Sequence, residues 1–428
     1  MRFPHSSIAS SIFLAASIAA APLVACGGST APDSGGASTP PESAGPVDGV
    51  VIDATSTPVV GMRLQIGDAV TQTDDLGRFH LDFAPALYDV VLATPAPTIL
   101  AYVGMNTRTP TIHIEDYYGA AANDRHTVTL KFSNDGFPPG ASLETMFDMP
   151  TAANATYWIA NDGSYTFLWT GDSKAKLVVD FFAQMRETTT LAPAHYVGYS
   201  HVERVLIAGA PTTTITPLLR DMPFGERRVT LHAALPAGAA LFQTIARMRP
   251  RDGAPFFSNI GFSLAQGPDV SLVVPDMPGA ALIFEVDAQT ATGASSVTVD
   301  APPSGDGTLS IPPNPEQITP DDGATNVDAH TEFRWSRRAG KIGFFQAYPS
   351  DASSQSAPFV MVFTAAESAH LPDASKLGVT LPSGTAYIWS AFAMDSADSV
   401  DALARASRYP TVNPHIYTYS AGRTFTTK

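Results

Sequence analysis

The chain of 428 residues sets 25 Lys and Arg against 40 Asp and Glu, a formal net charge of −15. That balance argues against nucleic acid as a partner, because phosphate binding needs a basic patch. With 36 Pro, 32 Gly, one Cys and few long apolar stretches of helical period, the chain reads as three or four β-rich domains without a disulfide framework.

The first 25 residues carry one basic group, Arg2, then the uncharged run "SIASSIFLAASIAAAPLVA". A short basic end, an apolar middle and small residues at the cut make an export signal. Leu23, Val24 and Ala25 end this run and Cys26 follows, and these four residues resemble the lipobox of bacterial lipoproteins. The resemblance implies that Cys26 receives a diacylglyceryl group and, after cleavage, an acylated amine such as a palmitoyl amide. Two or three acyl chains anchor stably where one does not. It also implies a cell-envelope location, and Gly27 in place of Asp resembles the outer-membrane pattern; which face of that membrane the chain occupies stays open. Loss of residues 1–25 removes only Arg2 from the charge count and leaves −16. With Cys26 consumed, the folded part has no thiol and is held by burial alone.

Residues 26–45 are Gly-, Ser- and Pro-rich and read as a flexible tether with a reach on the order of 25 Å. A first domain is expected at 46–122. Met62, Leu64 and Ile66, then Phe79, Leu81 and Phe83, then Tyr88, Val90 and Leu92 alternate with polar positions, as antiparallel strands with one buried face do. Asp74-Asp75-Leu76-Gly77 is a tight-turn signal. The stretches "GVVIDATSTPVVGMRLQI", "TQTDDLGRFHL" and "YDVVL" resemble the carboxypeptidase regulatory-like domain, a transthyretin-like β-sandwich that is an accessory fold without catalytic residues. One departure is "APALYDV", where that family has Pro-x-Gly before the Tyr.

Two sandwich-like units are expected at 123–225 and 226–305, with one larger all-β domain as the alternative. "HTVTLKFSNDGFPPGASLETMFDMP" resembles "RRVTLHAALPAGAALFQTIARMRP", and "AKLVVDFFAQ" resembles "AALIFEVDAQ". The offsets are 101 residues at Leu130/Leu231 and 105 at Leu177/Leu282, the signature of an internal repeat. After the Pro-rich boundary "SIPPNPEQITP", residues 315–428 resemble bacterial fibronectin type III-like domains through Pro320, Asp322, Gly323, Trp335, Tyr387, Trp389 and Phe425. The resemblance implies that Trp335 and Tyr387 are core residues.

No catalytic constellation stands out. Gly198-Tyr199-Ser200-His201-Val202 lacks the final Gly of a nucleophile elbow. No H-x-x-E occurs, so the carboxypeptidase-related resemblance does not extend to peptidase chemistry. The pairs His113/Glu115, His201/Glu203 and His330/Glu332 put two ligand types on one strand face, but in three separate units. They read as solvated strand residues, and neither a metal nor another cofactor is expected.

The segment "TYWIANDGSYTFLWTGD" holds an Asn161-Asp162-Gly163 hairpin signal. A two-residue loop at Asp162-Gly163 predicts that Trp158 faces Phe167, Ala160 faces Tyr165 and Thr156 faces Trp169. Trp158, Tyr165, Phe167 and Trp169 then share one face. Such a row either fills a sandwich core or forms a platform that stacks on sugar rings.

The expected fold class is therefore all-β, with tandem antiparallel β-sandwich domains after a signal peptide and tether. The expected function is a lipid-anchored, non-enzymatic binding or adhesion role in the bacterial envelope. A polysaccharide or an envelope protein would be the ligand, and Trp158, Tyr165, Phe167 and Trp169 the candidate binding residues. A structural spacer is the alternative. An enzyme would need acidic groups or His converging in a cleft of the middle region.

Overall fold

The computed structural model describes residues 43–53, 58–94, 98–114 and, with short gaps, 225–428. Between 125 and 215, and over 257–262, it describes strands and their pairing, with side chains only at Lys174, Glu203 and Val205 to Ile207. Cys26 and the expected signal and tether up to residue 42 lie outside the described residues.

Among the described residues the fold is all-β apart from one short helix and one helical turn, Ser375–Leu377. The first unit contains β1 (Gly45–Asp53), β2 (Arg63–Ile66), β3 (Ala69–Gln72), β4 (Arg78–Ala84), β5 (Tyr88–Thr94), β6 (Thr98–Met105) and β7 (Thr111–Ile114). One layer has the order β4-β1-β7, with β1 antiparallel to β4 and parallel to β7. The other has β3-β2-β5-β6, all antiparallel. Gly49 in β1 is required by close approach: a Cβ there would lie 2.3 Å from the Phe79 ring. The turn into β4 is set by Asp74, whose Oδ1 accepts the N–H of Leu76 at 2.9 Å and of Arg78 at 2.8 Å. Gly77 follows at φ 70°, which favours glycine.

The same connection order recurs twice. The second unit runs β8 (Arg125–Phe132), β9 (Ala141–Asp148), β10 (Ala155–Ile159), β11 (Ser164–Thr170), β12 (Lys174–Arg186), β13 (Pro193–Ile207) and β14 (Thr213–Ile215), with layers β11-β8-β14 and β10-β9-β12-β13. The third runs β15 (Glu226–Ala234), β16 (Ala240–Arg249), β17 (Phe257–Ser263), β18 (Asp269–Pro275), β19 (Ala281–Thr290), β20 (Gly293–Asp300) and β21 (Asp306–Ser310), with layers β18-β15-β21 and β17-β16-β19-β20. In each unit the first strand pairs antiparallel with the fourth and parallel with the seventh. Leu130 and Leu231 both sit on the first strand of their unit, and Leu177 and Leu282 both sit on the fifth.

The fourth unit contains β22 (Glu316–Thr319), β23 (Ala324–Val327), β24 (Glu332–Ser336), β25 (Ile342–Pro349), β26 (Phe359–Thr364), β27 (Ser368–His370), β28 (Ala386–Met394), helix α1 (Val400–Arg405), β29 (His415–Ser420) and β30 (Arg423–Thr427). Strands β22-β24-β27 form one layer. Its other layer is not a separate sheet. It continues on one side through β29 and β20 into the third unit. On the other side β26 pairs in parallel with β6, from Phe359↔Thr98 to Thr364↔Val103. One sheet therefore runs through the third, fourth and first units.

Strands β5, β25 and β28 of this sheet are apolar on both faces because two cores flank them. On one side Val90, Leu92, Phe344, Phe392 and Met394 join β1, β4, β7 and α1. On the other, Val91, Ile99, Phe345, Tyr387 and Trp389 join Phe333 and Trp335. Trp335 and Tyr387 are fully buried. A third core, around Phe284, Val286, Val229 and Leu272, fills the third unit.

Helix α1 is nucleated by Ser399, whose Oγ accepts the Ala402 N–H at 3.1 Å, and Arg405 lies in its last turn. Its buried Asp401 reaches into the first unit and accepts the N–H groups of Asn106 at 3.2 Å and Thr107 at 3.1 Å. Lys376 donates to the carbonyl and carboxylate of Asp68 at 2.9 and 3.0 Å, and Arg63 donates to the Lys376 carbonyl at 2.7 Å.

Candidate functional site

The expected hairpin between Trp158 and Trp169 is not formed. β10 pairs with β9, so Trp158 lies opposite Glu144. β11 pairs with β8, so Tyr165, Phe167 and Trp169 lie opposite Leu130, Val128 and His126. The two strands belong to different layers, and the aromatics are divided between them. An Asn-Asp-Gly turn permits a hairpin, but β10 and β11 take their partners in different layers. The four side chains themselves lie outside the described residues.

The His/Glu pairs are dispersed. His113 is half-buried and its pKa is lowered by desolvation, partly offset by a hydrogen bond with the backbone of Asp53. Glu203, His330 and Glu332 are exposed. No group of three or more His, Cys, Asp or Glu placed to hold a metal ion occurs among the described residues. The near-elbow Gly198–Val202 lies inside β13, paired along its length with β12, rather than on a turn. Asp74 spends its carboxylate on the turn described above.

A different site emerges on the third unit, on the face of β16, β19 and β20 opposite its core. β16 carries a bulge: Leu241 pairs with Ala288 and Gln243 with Asp287, so the register shifts at Phe242 between them. The extra residue sends Leu241 into the core while Phe242 stays 38% exposed. Phe242 borders an open depression of about 480 Å³ with Leu241, Leu264, Gln289 and Thr290. Leu264 is 54% exposed, so the rim is apolar and wet.

A polar row leads away from the depression. Gln243 Nε2 donates to Asp287 Oδ2 at 2.5 Å. Arg247 forms a largely buried ion pair with Glu285, two residues from Asp287 and on the same face. Ser296 lies opposite Asp287, and Thr298 opposite Glu285. Thr298 is buried and its hydroxyl has no hydrogen-bond partner. Tyr417 and Tyr419 of β29 close the row, their ring centroids 6.3 Å apart. Desolvation, reinforced by Glu285, pushes the Asp287 carboxyl up to about 7, against the hydrogen bonds from Ser296 and Gln243 and the charge of Arg247. Tyr419 is raised by burial and by Asp287. The face thus combines an aromatic edge, amides, hydroxyls and two carboxyl groups, of which Asp287 has a raised pKa.

Sequence reasoning missed this face because a bulge breaks the period that marks which side chains point together. The adjacent "EVD" of β19 was its only signal, two acids spaced to share a face in a strand of otherwise buried residues.

No family model and no curated protein matches the chain. Among solved structures it is similar to the Bacillus anthracis TIE protein, at 11% identity over 63% of this chain, with a TM-score of 0.17. The match covers 51% of that protein, so the chain spans about half its length. It is also similar to a streptococcal ancillary pilin, at 10% identity over 62% of this chain and 98% of the pilin, with a TM-score of 0.15. At these scores the likeness is one of β-rich construction and carries no functional argument.

Proposed function

We propose that this is a lipid-anchored protein of the bacterial envelope that binds a polysaccharide without transforming it. The depression beside Phe242 is the observation that carries this reading. A binder needs a concave patch with an exposed aromatic edge, and a pure spacer does not. Sugar recognition uses planar amides and carboxylates for hydroxyl pairs and an aromatic ring for the apolar ring face. At the depression Phe242 supplies the ring and Gln289 the amide, and Gln243 and Asp287 continue the polar row along β16 and β19. Attachment through Cys26, and the accessory folds that residues 46–95 and 315–428 resemble, support an envelope role.

The test is a screen of immobilised polysaccharides with the wild-type protein and with Phe242→Ala and Gln289→Ala. Binding that weakens about tenfold in both variants at unchanged melting temperature supports the site. Binding that survives there and disappears in Trp158→Ala/Trp169→Ala moves it to the second unit. The same incubations are checked for released sugar. Glu285 and Asp287 are neighbouring carboxyl groups, and the raised pKa of Asp287 is what a general acid requires. Release abolished by Asp287→Asn would replace binding by hydrolysis.

The spacer reading is favoured by one observation, the sheet shared by the first, third and fourth units. Loss of a partner's positioning, with no ligand in any screen, would be its result.

A further inference from the structure

The turn between β4 and β5 is the place where "APALYDV" departs from the family it resembles. It displays three apolar residues to solvent: Phe83 is 65% exposed, Leu87 is 57% exposed, and Pro85 between them is exposed as well. The turn is held from beneath. The Arg108 guanidinium donates to the carbonyls of Ala84 at 3.4 Å and Pro85 at 2.7 Å, and it lies 5.4 Å from the centroid of the Tyr88 ring. Tyr88 is itself buried and donates through its hydroxyl to the carbonyl of Thr107. Large apolar side chains on a braced turn keep their exposed position, because collapsing onto the surface would break these bonds.

The location of the turn selects its occupant. Gly45, where β1 begins, pairs with Ala84, so Phe83 and Pro85 flank the point at which the segment from Cys26 reaches the fold. That segment, "GGSTAPDSGGASTPPESA", has no large apolar residue with which to cover them. Its reach, on the order of 25 Å, leaves this end of the first unit beside whatever holds Cys26. We propose that Phe83, Pro85 and Leu87 form a membrane-contact tip that dips into the lipid surface to which Cys26 is attached. The inference rests on the lipid-anchor reading above. The contact is apolar: a chain of −16 after signal removal is repelled by anionic headgroups, so a zwitterionic surface suits it. Leu76 and Val60, also exposed, lie towards the opposite end of β4 and serve as internal controls.

The test uses the full lipidated protein in phosphatidylcholine vesicles. Because Cys26 is blocked by lipid, Leu87→Cys and, separately, Leu76→Cys give unique thiols for an environment-sensitive fluorophore. The expected result is a blue-shifted emission at 87, quenched by brominated lipid, and neither effect at 76. Adding Phe83→Ser should lower the inserted-to-free ratio at 87 by about tenfold, the scale of one apolar side chain leaving lipid, with an unchanged melting temperature. Mass analysis of the N-terminal peptide separates the two ways of failing. A diacylglyceryl adduct with no shift at 87 overturns the tip and leaves the anchor standing; no adduct removes both. A shift that needs no vesicles and grows with protein concentration would also overturn it, in favour of a second copy as the occupant.

Discussion

Replacing Asp287 by Asn should make the third unit more stable, and by an amount that grows with pH. The Asp287 carboxyl is withdrawn from water, faces Glu285, and has its pKa raised from 3.8 to about 7. A carboxyl whose folded pKa lies above its unfolded value binds its proton more tightly when folded. Stability is therefore greatest below the unfolded pKa and declines as pH rises from about 4 to about 7, after which it is level. Each pKa unit is worth about 1.4 kcal/mol, so the full decline is at most about 4 kcal/mol, with about 2–3 kcal/mol of it between pH 5 and pH 8. Asn keeps the hydrogen bond with Gln243 and cannot ionise. Urea unfolding of both proteins from pH 4.5 to 8.5, followed by far-UV circular dichroism, isolates the effect of the Asp287–Glu285 pair as a difference between two profiles. A constant difference across that range would show that Asp287 is ionised and solvated, and the polar row would lose its protonated member.

Asp401→Ala leaves the N–H groups of Asn106 and Thr107 without their acceptor at the contact between first and fourth units; a loss of about 2–4 kcal/mol is expected, with faster hydrogen exchange in β6 and β26 and little change in β15 or β18. Phe284→Ala empties a fully buried site in the third unit and should cost about 3–5 kcal/mol, read as an early unfolding transition in a thermal scan. His80 is held between Asp48 at 2.7 Å and Asp82 at 3.0 Å, which raise its pKa above 6.5. What it adds to stability is present below pH 6.5 and fades as pH rises through its folded value. An NMR titration of its ring should show a raised midpoint that moves back down in Asp48→Asn.

The sequence made the individual sandwiches legible because alternation is a local signal. Val229, Leu231 and Ala233 alternate with polar neighbours in β15 and all three are buried. It was weaker where burial is two-sided. In "YDVVL", Val90 and Leu92 enter one core while Val91 enters the other. Such a run signals burial without saying what covers the second face. The aromatic segment 156–169 was misread for a related reason. Turn residues signal a reversal, but which layer each strand joins is decided by backbone pairing with distant strands, Glu144 opposite Trp158 and Val128 opposite Phe167. The bulge at Phe242 defeated periodicity outright, and with it the candidate site.

The pairing of β6 with β26 was beyond any motif, since edge strands join through backbone N–H and C=O groups that every residue carries. It bears directly on the choice between binder and spacer. Along the hydrogen-bonded direction, six strand steps separate β6 from β19: through β26, β25, β28, β29 and β20. At about 4.8 Å per step, the polar row stands about 30 Å along the sheet from β6 of the first unit. Units joined by linkers alone would hold a site at a fluctuating distance. Here the intervening steps are strand pairings, reinforced by Asp401 and Lys376, so the site keeps a fixed position relative to the first unit. Under the proposed binding role, spacing and binding stop being rivals: the shared sheet would present the depression beside Phe242 at a set distance from the first unit. Opening the β6–β26 edge with Val362→Pro, which introduces a residue that cannot donate to a ladder, separates the two roles. Val362 is fully buried, so the substitution is read alongside the milder Asp401→Ala. If ligand affinity of the free protein is unchanged in Asp401→Ala but retention of ligand at the cell surface falls, the sheet acts as a positioning strut. If both are unchanged, the shared sheet has no part in presentation.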